Sequence, residues 1–437
     1  MEHIKDPVGS RFEWMSTDEI AEFQSERLRE SVAQAGKSPY YAAKFAEAGI
    51  KPEDIQSRED ITKLPFTTKE DLRLSYPTGM LAVDPEQVIR MHTSSGTTGK
   101  PTAIFHTRQD IENWAELMAR CLAMVGATSK DVFQNMTGYG LFTGGLGLHY
   151  GAERLGMWTI PAGAGNTARQ IMLMKDFHVT VIHATPSYAM HIAERMLAEG
   201  DNPKSLELRI GVLGAEPYTE EMRLKLQDIY GFKVFNSYGL SEMNGPGVAF
   251  ECTYQNGMHV WEDSYLVEII DPNTLEPCKP GDVGELVMTT LRRTAQPIIR
   301  YRTRDLTRIL PGECPCGRKH IRLDRMIGRS DDMLIVRGVN VFPSQIEEVL
   351  MKHEWVGGNY VIHLTTVGAM DEMTVKVEIS KTSFDGSIET LRKLRDHLQK
   401  QIREQVGFSV HVEVLEPGSL PASEGKAKRV VDEREGR

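Results

Sequence analysis

Cysteine is scarce in this chain, with five residues (Cys121, Cys252, Cys278, Cys314 and Cys316) in 437. So few thiols over such a length exclude a disulfide framework as the source of stability, and they suit a compartment that keeps cysteines reduced. Positive charge is also in short supply: 51 lysines and arginines face 61 aspartates and glutamates, a net charge of −10. Nucleic acid or an anionic membrane as the main partner would require a basic excess to displace counterions, so neither is expected. No run of about eighteen apolar residues occurs, and the opening MEHIKDPVGSRFEW lacks a basic stretch leading into an apolar one. The expected location is therefore cytoplasmic. A G-x-S-x-G elbow is missing too, which removes the usual signal for a serine nucleophile.

What remains is ordinary globular material, 40% hydrophobic and 26% charged. A single hydrophobic core stops growing well below 437 residues, so two or more domains are expected. Ile20, Phe23, Leu28 and Val32 recur at helical spacing behind Ser16, Thr17 and Glu19, which predicts an amphipathic helix over 17–36. Further on, short β-branched runs (179–184, 208–213, 233–235) alternate with helical stretches that begin after Pro186 and Pro217. That rhythm predicts βαβ units and parallel strands. After Glu251 the chain becomes β-rich, and from Pro343 it restarts as a compact α+β piece. The predicted class is α/β, with a large N-terminal domain (1–327) and a small α+β C-terminal domain (332–437) joined at 328–331.

Several stretches carry chemistry. Ser94-Ser95-Gly96-Thr97-Thr98-Gly99-Lys100 lies between two strand-like runs. Hydroxyls, glycines that let backbone N–H groups approach, and one lysine are the groups that wrap a polyphosphate. A Walker A loop is excluded, because Gly96 and Gly99-Lys100 stand too close together and Pro101 follows. Gly214-Ala215-Glu216-Pro217 and Asn236-Ser237-Tyr238-Gly239-Leu240-Ser241-Glu242 each come just after a predicted strand, where open α/β sheets bind ligands. Cys252, His259, Cys314 and Cys316 could complete a closed tetrahedral zinc shell, which would be structural. The plainer alternative is that these cysteines are small buried hydrophobes.

The loop at 94–101 resembles the phosphate loop of the adenylate-forming superfamily, and the spaced motifs together are most similar to the phenylacetate-CoA ligases, over nearly the whole chain. That resemblance implies an ATP-dependent ligase that makes an acyl-adenylate of an aryl acid and passes the acyl group to coenzyme A. It implies Tyr238 stacked on adenine, Asn236 or Ser237 at its edge, Glu242 holding Mg²⁺ and Asp305 on the ribose hydroxyls. It implies that Tyr139, Phe142, Ala215 and Pro246 lie near the acid, and that Arg329 and Gly338 belong to the nucleotide and pantetheine path. Asp331 would be the hinge, and Lys426 the cation that bridges carboxylate and α-phosphate, with Thr97 alongside among the catalytic residues. A homodimer is the family expectation. Two alternatives stand beside it: an enzyme that loads an acid onto a carrier protein with the same ATP residues, and a zinc-stabilised nucleotide-binding module without turnover, against which Lys426, Glu242 and Asp305 argue.

Overall fold

The computed structural model describes residues 10–93, 101–141, 143–337, 339–367, 370–381, 383, 387–421 and 427–434. They form two compact units, 1–163 with 235–326, and 164–234 with 327–437.

The first unit begins with a 3₁₀ turn (Arg11–Trp14) and the predicted helix, Thr17–Ala35. Ser16 and Glu19 cap that helix reciprocally, each satisfying a backbone N–H that the first turn leaves without a partner. Its inward face, Leu28 and Val32, joins Tyr41, Phe45, Ile55, Leu291 and Ile299 in one core. The strands Arg90–Thr93 and Ala103–His106 pair antiparallel, and the phosphate-loop sequence connects them. Helices Arg108–Met124 and Thr143–Leu155 pack closely: a Cβ on Gly147 or Gly151 would come within 2.3 Å of Trp114 or Met118. Val132–Asn135 and Trp158–Ile160 pair in parallel. Lys233–Leu240, Gly245–Glu251, Met258–Val260, Arg322–Leu323 and Ile309–Leu310 form a run of antiparallel pairs. A second antiparallel group contains Tyr265–Ile270, Gly284–Thr290 and Tyr301–Thr307.

In the second unit, the parallel strands Val181–Ala184 and Ile210–Gly214 are linked through helix Pro186–Ala198, the βαβ arrangement that the alternating sequence predicts. Helix Glu220–Tyr230 follows. The C-terminal segment contributes the hairpin Leu334–Val336/Val339–Val341, helices Pro343–Met351 and Ile388–Val406, and a four-stranded sheet. That sheet runs in the order His411–Leu415, Met370–Ile379, Val356–Val367, Val430–Asp432. Among the described residues no helix is long and apolar enough to cross a membrane.

Candidate functional site

In the first unit two of the sequence-predicted nucleotide residues, Tyr238 and Asp305, are in contact. Tyr238 donates its hydroxyl hydrogen to the Asp305 carboxylate at 2.5 Å, joining the strand Lys233–Leu240 to the strand Tyr301–Thr307. The first strand extends five residues beyond the predicted 233–235, so Asn236 to Leu240 lie in it rather than in a loop after it. A Tyr-Gly pair reads as a turn, but the ladder to Gly245–Glu251 holds the segment extended through a bulge between Tyr238 and Leu240. The Asn236 amide donates to Glu251 at 2.8 Å, and Ser237 is buried. Glu242 sits in the 3₁₀ turn Ser241–Met243, where its carbonyl accepts from the Arg293 guanidinium at 2.7 Å. Arg293 also reaches the Phe105 carbonyl at 3.1 Å, which ties the Glu242 turn to the strand after the phosphate loop. Sequence reasoning missed this residue, because a buried arginine looks like a surface one in a sequence.

The base of the phosphate-loop hairpin is aromatic, with the Arg90 and Arg293 guanidinium groups close by. His92 and His106 lie 5.5 Å apart and both face Trp114, and burial holds each imidazole below its ordinary pKa. Residues 94–100, which include Ser94, Ser95, Gly96, Thr97, Thr98 and Gly99, lie outside the described residues, as do Phe142, Gly338 and Lys426.

Of the expected acid-pocket residues, Tyr139 is half-buried, and burial pushes its phenol up to about 12. Asn135 donates to its hydroxyl at 3.0 Å, and His149 lies 3.3 Å away, itself 3.0 Å from Glu153. Pro246 presents its carbonyl to the Trp114 indole N–H at 3.2 Å. None of Asn135, His149 and Glu153 stood out in the sequence, since each reaches Tyr139 only through the loop and helix that fold around it.

In the second unit, Gly214 ends a buried strand and Ala215 adopts φ 68°, a left-handed conformation uncommon for a residue with a side chain. That turn aims Glu216, whose Oε1 accepts from the Ser187 amide at 2.7 Å and whose Oε2 accepts from the Ala427 amide at 3.0 Å. Arg329 makes a bidentate pair with Asp331 at 2.8 and 2.9 Å.

Cys252, His259, Cys314 and Cys316, all in the first unit, bring their donor atoms within 4.8 Å of one another. The Cys252 and Cys314 sulfurs are 3.6 Å apart, and the Cys316 sulfur is 3.4 Å from His259 Nε2. Zinc bonds of about 2.3 Å to sulfur and 2.0 Å to nitrogen would put tetrahedral neighbours about 3.5–3.8 Å apart, and these two contacts lie close to that spacing. The Cys316 thiol is held low by the neighbouring Cys252 sulfur and His259, which favours the thiolate a metal needs. Cys121 instead accepts from the Trp261 indole N–H at 3.2 Å, in full burial.

A family model described as AMP-binding enzyme matches residues 20–291, and one described as AMP-binding enzyme C-terminal domain matches 338–434. The phenylacetate-coenzyme A ligase of Escherichia coli (strain K12) is 45% identical over 432 residues, covering 98% of this chain and 97% of the relative. That of Pseudomonas putida is 47% identical over 425 residues, covering 97% and 96%. Among solved structures, a 2-hydroxyisobutyryl-CoA ligase in the postadenylation state with 2-HIB-AMP is similar with a TM-score of 0.92 at 31% identity, covering 97% of this chain and 91% of that one. The same ligase with 2-HIB-AMP and CoA in the thioesterification state gives 0.72 at 32% identity, covering 97% and 92%.

Proposed function

Because the chain belongs to the phenylacetate-CoA ligase family of adenylate-forming enzymes, and is an ATP-dependent CoA ligase acting through an acyl-adenylate, we propose that the acid it activates is phenylacetate or a close arylacetic analogue. The identity to phenylacetate ligases over nearly the full length of both partners supports that choice of acid. For the site, the observation that carries the reading is the Tyr238–Asp305 contact, which sets an aromatic face beside a carboxylate able to accept from two vicinal hydroxyls.

In this reading the acid's carboxylate attacks the α-phosphorus of ATP and pyrophosphate leaves; the thiol of coenzyme A then attacks the acyl carbon and AMP departs. Ser94, Ser95, Gly96, Thr97, Thr98 and Gly99 wrap the phosphates. Gly214, Ala215, Pro217, Asn236, Ser237 and Gly239 shape the adenine site around Tyr238. Two anions must approach each other in the first step, so a cation placed between them stabilises the transition state, the role assigned to Lys426. Glu242 is the residue that would hold Mg²⁺, a hard cation that prefers carboxylate oxygen and neutralises phosphate charge. Residues 332–437 rotate about 328–331, with Asp331 absorbing the dihedral change, and Arg329 and Gly338 move with the second step. Tyr139, Phe142, Ala215 and Pro246 line the acid. Cys252, His259, Cys314 and Cys316 would hold zinc in a structural role.

The test is AMP formation with ATP, Mg²⁺ and coenzyme A across a panel of arylacetic, aryl and fatty acids. Phenylacetate should give the highest kcat/KM; a fatty acid or benzoate in first place would overturn the substrate assignment.

A further inference from the structure

The nucleotide reading groups Glu216 with its loop, yet its carboxylate is already committed to protein. Oε1 accepts from the Ser187 amide at 2.7 Å, in the first turn of helix Pro186–Ala198, where the helix dipole favours an anion. Oε2 accepts from the Ala427 amide at 3.0 Å. Ala427 directly follows Lys426 in the chain. One carboxylate therefore fastens the segment that follows the lysine to a helix of residues 164–234, both inside the second unit.

Neighbouring contacts in that unit repeat the pattern in both directions. Glu347, from the C-terminal segment, accepts from the Thr219 amide at 3.0 Å and from the Tyr360 hydroxyl at 2.6 Å. Glu194, from residues 164–234, accepts from the Gly358 amide at 2.9 Å, and Lys225 donates to the Val356 carbonyl. Gly358 has no room for a side chain, since a Cβ there would come within 2.2 Å of Met190 Cγ. Each carboxylate reaches across by one hydrogen bond to the backbone of the other segment, and Lys225 donates to the His353 and Val356 carbonyls, so these polar links can be parted without breaking secondary structure. Glu216 differs from the rest in that its partner adjoins Lys426.

We infer that Glu216 is a positioning residue for the adenylation half-reaction: by holding the Ala427 amide it sets the lysine-bearing segment in place for the first step and releases it for the second. The inference rests on the assignment of Lys426 above. Charged hydrogen bonds of this kind are strong enough that losing one slows the step it serves about ten- to a hundredfold.

The experiment separates the half-reactions. Adenylation is followed in single turnover with labelled ATP, and thioester formation is followed from preformed acyl-adenylate and coenzyme A, for wild type, Glu216→Ala, Glu216→Gln, Lys426→Ala and the Glu216→Ala/Lys426→Ala double variant. Glu216→Ala should lose adenylation by that factor while thioester formation stays within about twofold of wild type. Glu216→Gln, isosteric but with a single acceptor oxygen, should fall between the two and fold as wild type does. In the Lys426→Ala background the Glu216 change should cost nothing further, because a residue acting through the lysine has nothing left to position. Equal loss in both half-reactions, no loss in either, or full multiplication of the two losses in the double variant would overturn the inference and leave Lys426 as assigned. Normal adenylation by Lys426→Ala would instead remove the lysine assignment, and the inference with it.

Discussion

Two places in this molecule hold distant stretches of chain together by opposite means. In the first unit, Cys252, His259, Cys314 and Cys316 gather four donor atoms within 4.8 Å, and the adjoining Arg318 pairs with buried Glu13, which also bonds Arg120. In the second, residues 164–234 meet the C-terminal segment through single hydrogen bonds at Glu194, Glu216 and Glu347 alongside side-chain packing such as Met190 on Gly358. A closed ligand set has no partly broken state of low energy, whereas hydrogen bonds can be exchanged for water at little net cost each. The first arrangement suits a scaffold that must not move while chemistry proceeds on it. The second suits a contact made and unmade in every turnover.

The sharpest way to break the comparison is at the residue the junction serves. Lys426→Ala should lower adenylation about a thousandfold, on the scale of removing a transition-state charge partner, and leave thioester formation from preformed acyl-adenylate largely intact. Half-reaction assays decide it; loss confined to the second step would reverse the assignment. Next comes the metal shell. Cys314→Ser, or exhaustive chelation, should release one equivalent of zinc and lower the melting temperature by about 10 °C, the consequence of losing about 4 kcal/mol of binding-linked stability. Both half-reactions should then fall together, in contrast to the junction; metal analysis that finds no zinc in the wild type would end that part of the reading. A smaller effect is expected from Gly358→Ala, whose new methyl must displace Met190. Overpacking of this sort costs about 1–3 kcal/mol, so adenylation should slow about tenfold while thioester formation holds, and equal slowing of both would blur the distinction.

The smallest effect is in pH dependence, where the two regions carry opposite signs. Burial works to raise the Asp263 carboxyl, but Arg120, His320 and Arg292 outweigh it and hold the pKa below the ordinary 3.8. Its contribution to stability is present above about 3.8 and is lost as pH falls further. Glu347 is raised above the ordinary 4.5 by burial, with Arg429 opposing and Glu216 reinforcing. Its contribution is complete below about 4.5 and declines as pH rises through the raised value. Between pH 5 and 7 the ratio of adenylation to thioester rates should drift downward by less than about threefold, and Glu347→Gln should flatten the drift. An unchanged drift in that variant would place the titration elsewhere.

The parts of this architecture that could be read from the sequence are those whose meaning is local. Ser16 with Glu19 marks the start of a helix because both capping partners lie within one turn. The alternation around Pro186 and Pro217 announces βαβ packing for a similarly short-range reason. Cys314-Pro315-Cys316 points to a metal because few other roles need two thiols so close, although nothing in the spacing places Cys252 beside Cys314. Tyr238, Asp305 and Glu242 were legible only as members of motifs. The Tyr238–Asp305 contact depends on strand pairing, and the Glu242 turn is held by Arg293, whose partners lie 51 and 188 residues away. The Glu216–Ala427 contact spans 211 residues and uses a backbone amide, a group every residue but proline carries. No pattern of side chains could have announced it.

The turn Arg11–Trp14 precedes its partners at 318–320 by 305 residues or more in chain order. Glu13 bonds Arg318, its carbonyl accepts from the Lys319 amide, and the Phe12 carbonyl meets His320. Arg120, in turn, lacks the bidentate Asp263 partner until 143 further residues have been synthesised. Nascent chains of this protein would therefore pass through a long interval with a half-built polar interior, and a chaperone that shields that interior should raise the yield more than one acting after release.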